Sequence, residues 1–335
     1  VFSSDTDTEV VAHLVEDFYR GDLLEAVQKA SSLLTGAYGI AVICTDEPGK
    51  MVITRKDSPI VVGCDSTGSY VASDIVALVR ATRDVVILED NQFALATPEG
   101  VTYYDRFGKE IEPEVTHIDW DIDVAERGGY PDFMLKEIHE QPRAVKDTLN
   151  SVLKDGKFDL TDIGLAEEDI RRTSQIYIVA CGSAYHVGMV AQYVIEDLVK
   201  IPVRVELASE FRYRKPILDP NGLVIIISQS GETADSLAAL RETKAQGIRT
   251  LGIVNVVGSS IAREADKVFY TLAGPEISVA TTKAYSTQLM ASYILAIQFA
   301  KVKNTITEEQ YENYIAELQA IPEKIEKIIE DKERI

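Results

Sequence analysis

From residue 175 onward, apolar residues follow two alternating rhythms. Short, nearly unbroken apolar runs rich in β-branched residues, at 175–180, 203–207, 223–227, 250–254 and 268–272, alternate with stretches where apolar residues return every three or four positions. The second rhythm predicts a helix over 185–200, with Val187, Val190, Val194 and Leu198 near one face. It predicts another ending at a Gly247 C-cap, a long helix over 282–301 and a short helix or turn at 209–213. Strands that are apolar on both faces and separated by helices predict an α/β domain, a doubly wound five-stranded parallel sheet. Ligands of such sheets sit beyond the carboxyl ends of the strands, where residues 181–184, 228–233 and 255–260 fall.

The first 120 residues read differently. Asp5-Thr6-Asp7-Thr8-Glu9 supplies capping residues ahead of Val10, Val11, Leu14 and Phe18, so a helix is expected from near Thr8, with Asp5 and Asp7 as its caps. A second helix is expected over 23–34. Runs at 38–44 and 51–55, joined by Glu47-Pro48-Gly49-Lys50, predict a hairpin; further strands are expected at 60–63, 69–72, 85–88, 93–97 and 101–104. This is an α+β layer domain, a mostly antiparallel sheet covered by helices. Residues 121–174, opened by Gly128-Gly129-Tyr130-Pro131, read as a helical connector, and the tail from Ile306 as a charged helix broken at Pro322. The expected division is therefore 1–120, 121–174, 175–305 and 306–335.

The central run, Ile225-Ile226-Ile227, ends in Ser228-Gln229-Ser230-Gly231-Glu232-Thr233, and a helical pattern starts at once. This loop offers the hydroxyls of Ser228, Ser230 and Thr233, a glycine for a sharp turn, and the unpaired N–H groups of a first helical turn. None of these is charged, so the helix dipole supplies much of the attraction, which suits a phosphate held for orientation rather than cleaved. Plain N-capping by Ser and Thr explains the same residues. Ser183 ends the first strand's loop, and Ser278-Val279-Ala280-Thr281-Thr282-Lys283 precedes the long helix and is placed to close over a ligand. Neither Gly-x-Gly-x-x-Gly after the first strand nor Gly-x-x-x-x-Gly-Lys-Ser/Thr is present, which favours a small phosphorylated metabolite over a nucleotide. Lys283 reads equally as a phosphate partner or as a solvated first-turn lysine. Cys181 reads as a packed thiol, since no His-Asp or His-Asn pair is identifiable as its base. His186 falls in a first helical turn, and His13, His117 and His139 read as structural.

With 34 basic and 54 acidic residues, the net charge of −20 disfavours nucleic acid and anionic membranes as partners, while a helix terminus still captures a phosphate locally. The 335 residues, 46% hydrophobic and 26% charged, suffice for two globular domains. Cys44, Cys64 and Cys181 have no paired spacing and no zinc-type cluster, which points to a reducing cytoplasm. No signal peptide or membrane-spanning run is visible; the apolar stretch at 283–300 is interrupted by Lys283, Ser286, Thr287 and Gln288. Val1 in place of Met, and the strand-like Val1-Phe2, predict a piece of something longer.

Cys181-Gly-Ser-Ala-Tyr-His186, Glu206-Leu-Ala-Ser-Glu-Phe-Arg-Tyr-Arg214, Ser228-Gln-Ser-Gly-Glu-Thr-Ala-Asp235 and Val279-Ala-Thr-Thr-Lys-Ala284 closely resemble the first sugar-isomerase (SIS) domain of the glutamine–fructose-6-phosphate aminotransferase (isomerizing) family. Ser4-Asp5-Thr6-Asp7-Thr8-Glu9-Val10 resembles the second half of that family's N-terminal-nucleophile glutaminase domain; Met134-Leu-Lys-Glu-Ile138 and Glu140-Gln-Pro142 resemble its connector. The resemblance implies an enzyme that makes glucosamine 6-phosphate from fructose 6-phosphate and glutamine. It uses no cofactor or metal, and it is dimeric through its sugar domains. It implies that Ser183, Ser228, Gln229, Ser230 and Thr233 bind the sugar phosphate, that Val279 lies near the sugar, and that Asp7 holds the glutamine ammonium. Ala184 departs from the serine of many members, so a hydroxyl contact there is expected to be lost or replaced by backbone. The family's nucleophile and isomerase base are expected to lie outside these residues, leaving no catalytic residue here and a chain that binds without turnover.

Two rivals differ in class. A SIS-type sensor or regulator predicts an effector module in residues 1–120, which have no basic helix-turn-helix character. A stand-alone phosphosugar isomerase needs a general base, and the only carboxylate of the central loop is Glu232, in a motif shared with the non-isomerising half.

Overall fold

The first expected helix is α1 (Thr8–Phe18), and α2 (Leu23–Ser31) starts at Asp22, whose carboxylate accepts the Glu25 N–H at 3.0 Å. The second helix ends earlier than its sequence pattern. Leu33 and Leu34 bond back to Ala30 and Ser31, tightening the last turn to i→i+3 spacing. Asp7 sits at the N-cap of α1 without making a capping bond. The approach to the helix is held by Glu9 instead, whose carboxylate accepts the N–H groups of Ser3 and Ser4, both at 2.7 Å, and their hydroxyls at 2.9 and 2.6 Å.

The Ser4 hydroxyl, followed by the Ser3 N–H, holds the Glu9 carboxyl down to about 2. Since that lies below the ordinary glutamate range near ~4.3, the clamp is complete above the unfolded value and is lost as pH falls towards 2. We expect the Ser3 and Ser4 amide resonances to titrate with a midpoint near 2 and to lose that titration in Glu9→Gln. A midpoint above 4 would mean the clamp does not form in solution.

The computed structural model describes residues 2–79, 81–118 and 127–331, which form two compact units, one on each side of the segment 119–126. In the first unit, β1 (Tyr38–Ile43) and β2 (Met51–Lys56) form the expected hairpin. They are followed by β3 (Val61–Asp65), β4 (Gly68–Ala72), α3 (Ile75–Leu78), β5 (Asp84–Ile87), β6 (Phe93–Thr97), β7 (Gly100–Tyr104), β8 (Glu110–Ile111) and β9 (Val115–His117). These strands make two antiparallel sheets rather than one, ordered β1-β2-β6-β7-β8 and β4-β3-β5-β9. Ile53, Val62, Val86, Leu88 and Ala94 share one core, and Val52 and Phe93 meet Val15, Leu23 and Val27 of α1 and α2 in another. Successive residues Val52 and Ile53 thus serve opposite faces of β2, the period-2 alternation of a strand covered on both sides.

The second unit opens with α4 (Phe133–Asn150), a small hairpin of β10 (Leu153–Lys154) and β11 (Lys157–Phe158), and α5 (Glu167–Arg172). It continues through β12 (Ile176–Ala180), α6 (Gly182–Val199), β13 (Val203–Leu207), α7 (Ala208–Arg214), β14 (Leu223–Ser228), α8 (Ala234–Ala245), β15 (Arg249–Val254), α9 (Ser260–Glu264), β16 (Lys267–Tyr270), α10 (Lys283–Val302) and α11 (Glu308–Glu330). The sheet is five-stranded and parallel throughout, in the order β13-β12-β14-β15-β16. Ile176, Ile178, Leu223, Ile225 and Ile227 face a core shared with α4, α6, α10 and α11, while Tyr177, Val179, Val224 and Ile226 face one shared with α7, α8 and α9. Burying each such side chain stabilises the sheet by about 1.5–3 kcal/mol, which is why the strands are apolar on both faces.

Three boundaries differ from the sequence reading. Helix α6 starts at Gly182, so Ser183 belongs to its first turn and His186 lies a turn further in. β16 ends at Tyr270, and Leu272 turns the chain away at φ +48°. Pro322 lies inside α11 without ending it. A proline removes one N–H and does not cancel the burial of Tyr311, Ile315 and Leu318 before it or the packing of Ile321 and Ile325 around it.

Candidate functional site

The strand order reverses direction between β12 and β14: the chain leaves β12 for β13 on one side and returns to β14 on the other. A crevice opens at such a switch point, beyond the carboxyl ends of the two strands. The register pairs Ala180 with Ile227, so Cys181 to Ser183 and Ser228 to Thr233 leave the sheet side by side. Asn255 to Ser259 after β15 and Thr271 to Thr282 after β16 emerge at the same end.

Both helices that start at the crevice lack a side-chain cap. Cys181 at the N-cap of α6 and Thr233 at that of α8 make no capping bond, as is also true of α1, α5, α7, α9 and α10, whereas Asp22, Asp132 and Thr307 cap α2, α4 and α11. The plain capping explanation of the central loop therefore fails: the Thr233 hydroxyl is bonded to that of Ser228 at 3.1 Å. Ser228 Oγ accepts the Gly231 N–H and Ser230 Oγ the Glu232 N–H, each at 3.1 Å. A hydroxyl that accepts from an amide keeps its own proton: Ser230 has one to donate, and the Ser228–Thr233 pair, in which one hydroxyl donates to the other, has one more between them, so the loop can give hydrogen bonds to an anion. Gly182 at φ +56° and Gly231 at +68° supply the left-handed turns these loops need.

The loop is fastened from behind by the segment after β15. Asn255 N–H donates to the Gln229 carbonyl at 3.2 Å, Ile261 N–H to the Gly231 carbonyl at 3.0 Å, and Ser260 N–H to Glu232 Oε1 at 2.7 Å. Glu232 is thereby a brace of the loop, with one oxygen fixed on backbone. The Asn255 side chain then reaches the next loop, accepting the Ala273 N–H at 2.7 Å and donating to the Gly274 carbonyl at 2.8 Å. Ser183 is exposed, Ser228 buried, and Gln229, Ser230 and Thr233 half-buried; Val279 is fully exposed at the tip of its loop. Ala184 packs into the core, so its missing hydroxyl belongs to the buried side of α6 and not to the side Ser183 exposes.

Lys283 fits neither sequence reading. It is 1% exposed, and its ammonium is 2.6 Å from Glu140 Oε2 on α4, so it is a buried ion-pair partner and not a solvated or phosphate-seeking lysine. The Glu206-to-Arg214 motif is likewise structural: Arg214 holds Glu206 through Nε at 3.2 Å and Nη2 at 2.7 Å, and Arg212 holds Asp235 in the first turn of α8 at 2.8 Å. The latter pair offsets an acidic charge next to the expected anion site. Cys181 packs at the edge of the second core, 4.0 Å from Ser236 Oγ. In the first unit the Asp7 carboxylate is exposed.

The sequence reading missed α4 as part of this end of the sheet. Glu137, 2% exposed, accepts the N–H groups of Ile277 and Ser278 at 2.6 and 3.1 Å, and Ser286 donates to Gln141 at 2.6 Å. Only the i, i+3 spacing of Glu137 and Glu140 hinted that two carboxylates share a helix face. A cleft of about 750 Å³ between α4 and α11 contains none of the predicted site residues; His139, Arg143, Lys146, Glu323 and Glu326 line it. Among the described residues no cluster has metal-ligand composition, and no helix is long and apolar enough to cross a membrane.

Residues 169–298 match the family described as SIS domain. Over 333 residues, 99% of this chain, the sequence is 54% identical to a glutamine–fructose-6-phosphate aminotransferase [isomerizing] of Clostridium tetani, covering 55% of that protein. A protein of the same name from Methanosarcina acetivorans is 42% identical over the whole chain, covering 56% of its length. The chain thus spans about half the length of the curated relatives it matches. Among solved structures, the C-terminal domain of glucosamine-fructose-6-phosphate aminotransferase from Francisella tularensis aligns with a TM-score of 0.57 and 46% identity, covering 59% of this chain and 56% of that one.

Proposed function

Because the chain is related along its whole length to the glutamine–fructose-6-phosphate aminotransferases, we propose that the crevice between β12 and β14 binds the phosphate of fructose 6-phosphate or glucosamine 6-phosphate. The observation that carries this reading is the pair of helix starts set side by side at the switch point, beyond β12 and β14, with a loop whose hydroxyls are already ordered by backbone amides. Ser183, Ser228, Gln229, Ser230 and Thr233 hold the phosphate, and Val279 lies beside the sugar. The phosphoryl group stays intact: the loop's donors are neutral, which suits holding rather than transfer. In the first unit, Asp7 pairs with the ammonium of glutamine, a role its exposure and lack of a capping bond leave open.

In the whole enzyme the glutamine amide nitrogen passes to fructose 6-phosphate and yields glucosamine 6-phosphate. This chain by itself binds the sugar phosphate without turning it over, works in the cytoplasm and pairs with a second copy through its sugar domain. Glutamine-dependent formation of glucosamine 6-phosphate by the pure chain would refute the binding-only reading.

Thermal unfolding with fructose 6-phosphate, against fructose and inorganic phosphate, tests the site. Ligand at a hundred times its dissociation constant stabilises the unit that binds it by roughly 2.7 kcal/mol. For a unit of this size that is a rise of about 5–10 °C. The rise is expected to vanish in the Ser230→Ala/Thr233→Ala double variant; a rise equal for fructose, or unchanged in the variant, would remove the phosphate from this loop.

A further inference from the structure

The loop that carries Val279 is not held by the sheet it follows. From Glu276 to Thr282 its fixed points are two carboxylates, one its own and one from α4, the helix that precedes the SIS match at 169–298. Glu276 accepts the Thr282 and Ala284 N–H groups at 2.8 and 3.1 Å and the Thr281 hydroxyl at 2.9 Å, which closes the loop's C-terminal end onto α10. Its N-terminal end has no such local bond. There the Ile277 and Ser278 amides, immediately before Val279, both point at Glu137 Oε1; the Thr282 hydroxyl is 3.5 Å from Glu137 Oε2 but nearer, 3.2 Å, to Glu276 Oε1. One buried side chain, Glu137, therefore anchors the loop's N-terminal end from outside, while Glu276 closes the other.

We propose that Glu137 is the positioning residue for the sugar-side loop 277–282: by accepting the Ile277 and Ser278 amides it fixes where Val279 stands relative to the phosphate loop. This rests on the sugar-phosphate reading above and extends it to a residue outside the matched domain. The division of labour follows from connectivity. The phosphate donors are braced by the Asn255, Ser260 and Ile261 amides; the Asn255 side chain also holds residues 273 and 274, but from Ile277 to Ser278 the outside anchor of the sugar-side loop is Glu137. Two neighbouring amides on one carboxylate oxygen are charge-assisted bonds, and a carboxylate places both acceptors without needing a particular amide flip. Glu137→Gln keeps one oxygen able to accept from the amides but gives up the charge and the second acceptor. Glu137→Ala leaves both amides unpaired.

The test separates the sugar from the phosphate. Affinities of the full chain for fructose 6-phosphate and for inorganic phosphate are measured for wild type, Glu137→Gln and Glu137→Ala, with hydrogen exchange read at residues 277 and 278. We expect phosphate affinity to stay within about two-fold in all three. The preference for fructose 6-phosphate over phosphate should fall at least ten-fold in Glu137→Ala and by an intermediate amount in Glu137→Gln, with faster exchange at both amides. Faster exchange with an unchanged preference would show that the anchored loop does not serve the sugar and would overturn the inference. If Glu137→Ala fails to fold, Glu137→Gln decides by the same two readouts. A wild-type chain that binds neither ligand would overturn the sugar-phosphate reading and this inference with it. Binding by wild type with no change of preference overturns this inference alone.

Discussion

Gly231→Ala is expected to lower the stability of the second unit by about 3 kcal/mol and to weaken phosphate binding more than ten-fold. Position 231 has φ +68°, where an L-residue costs about 1–2 kcal/mol. A methyl group there would stand 2.0 Å from Ser259 Oγ and 2.6 Å from Ser259 Cβ. The hydroxyl can rotate away, but the Cβ is carried by backbone, so either the 228–233 loop or the segment beginning at Asn255 must shift. The bonds joining the two, from Asn255, Ser260 and Ile261, are also what hold the loop in register. The measurements are the melting temperature, expected to fall by roughly 6–12 °C, and the dissociation constant for fructose 6-phosphate. Adding Ser259→Gly should recover the part due to the clash, leaving only the backbone strain, whereas Ser259→Ala should recover little because the Cβ remains. A Gly231→Ala chain that melts and binds like wild type would show that the loop is not built as described.

The parts of this molecule that could be read beforehand are those where one residue type answers to one local demand. β12, β14 and β15 are covered on both faces, so apart from Arg249 and Thr250 at the start of β15 and Ser228 at the end of β14 their positions ask for apolar or small residues, and the strands stand out as nearly unbroken runs. Edges blur where the demand is mixed. Gly182 and Ser183 read as loop because glycine and serine favour turns, yet a glycine at φ +56° is what lets α6 begin there. The two sheets of the first unit read as one because strand alternation marks which face is buried but not which strand is the neighbour.

In the candidate site, the placement of Ser183, Ser228, Ser230 and Thr233 beyond strand ends was legible from their spacing, and the structure brings those ends side by side; that they hold a phosphate is the proposal made above. The braces were not. Glu137 and Ile277 are 140 positions apart, as are Lys283 and Glu140 to within a few residues, and nothing local to either partner records the meeting. Charged residues in a helix of mixed composition look solvated until tertiary packing buries them, so Lys136 and Glu137, 7% and 2% exposed, carry no sign of burial in the chain itself. The bracing shell of the site is therefore its least visible layer, although its members are as buried as the core.

Lys283→Met tests that layer most directly. The ammonium is buried against Glu140 Oε2 at 2.6 Å; the other oxygen of Glu140 is 3.5 Å from Lys136. Removing one member of a fully buried pair costs about 3–5 kcal/mol because the other charge is left without compensation. Glu140 keeps Lys136 and its side chain is 26% exposed, so water and a second cation soften the loss. The expected cost is about 2–3 kcal/mol, read as a fall in melting temperature of roughly 5–10 °C. Methionine fills the space of the lysine stem, which confines the effect to charge. The double variant Lys283→Met/Glu140→Gln should regain most of the stability, since it removes the stranded carboxylate along with its partner. Affinity for phosphate, measured well below the melting transition, should stay within about two-fold of wild type, because the ammonium is committed to Glu140 and not to the ligand. A ten-fold loss of phosphate affinity with little change in stability would reverse this assignment and return Lys283 to the anion site.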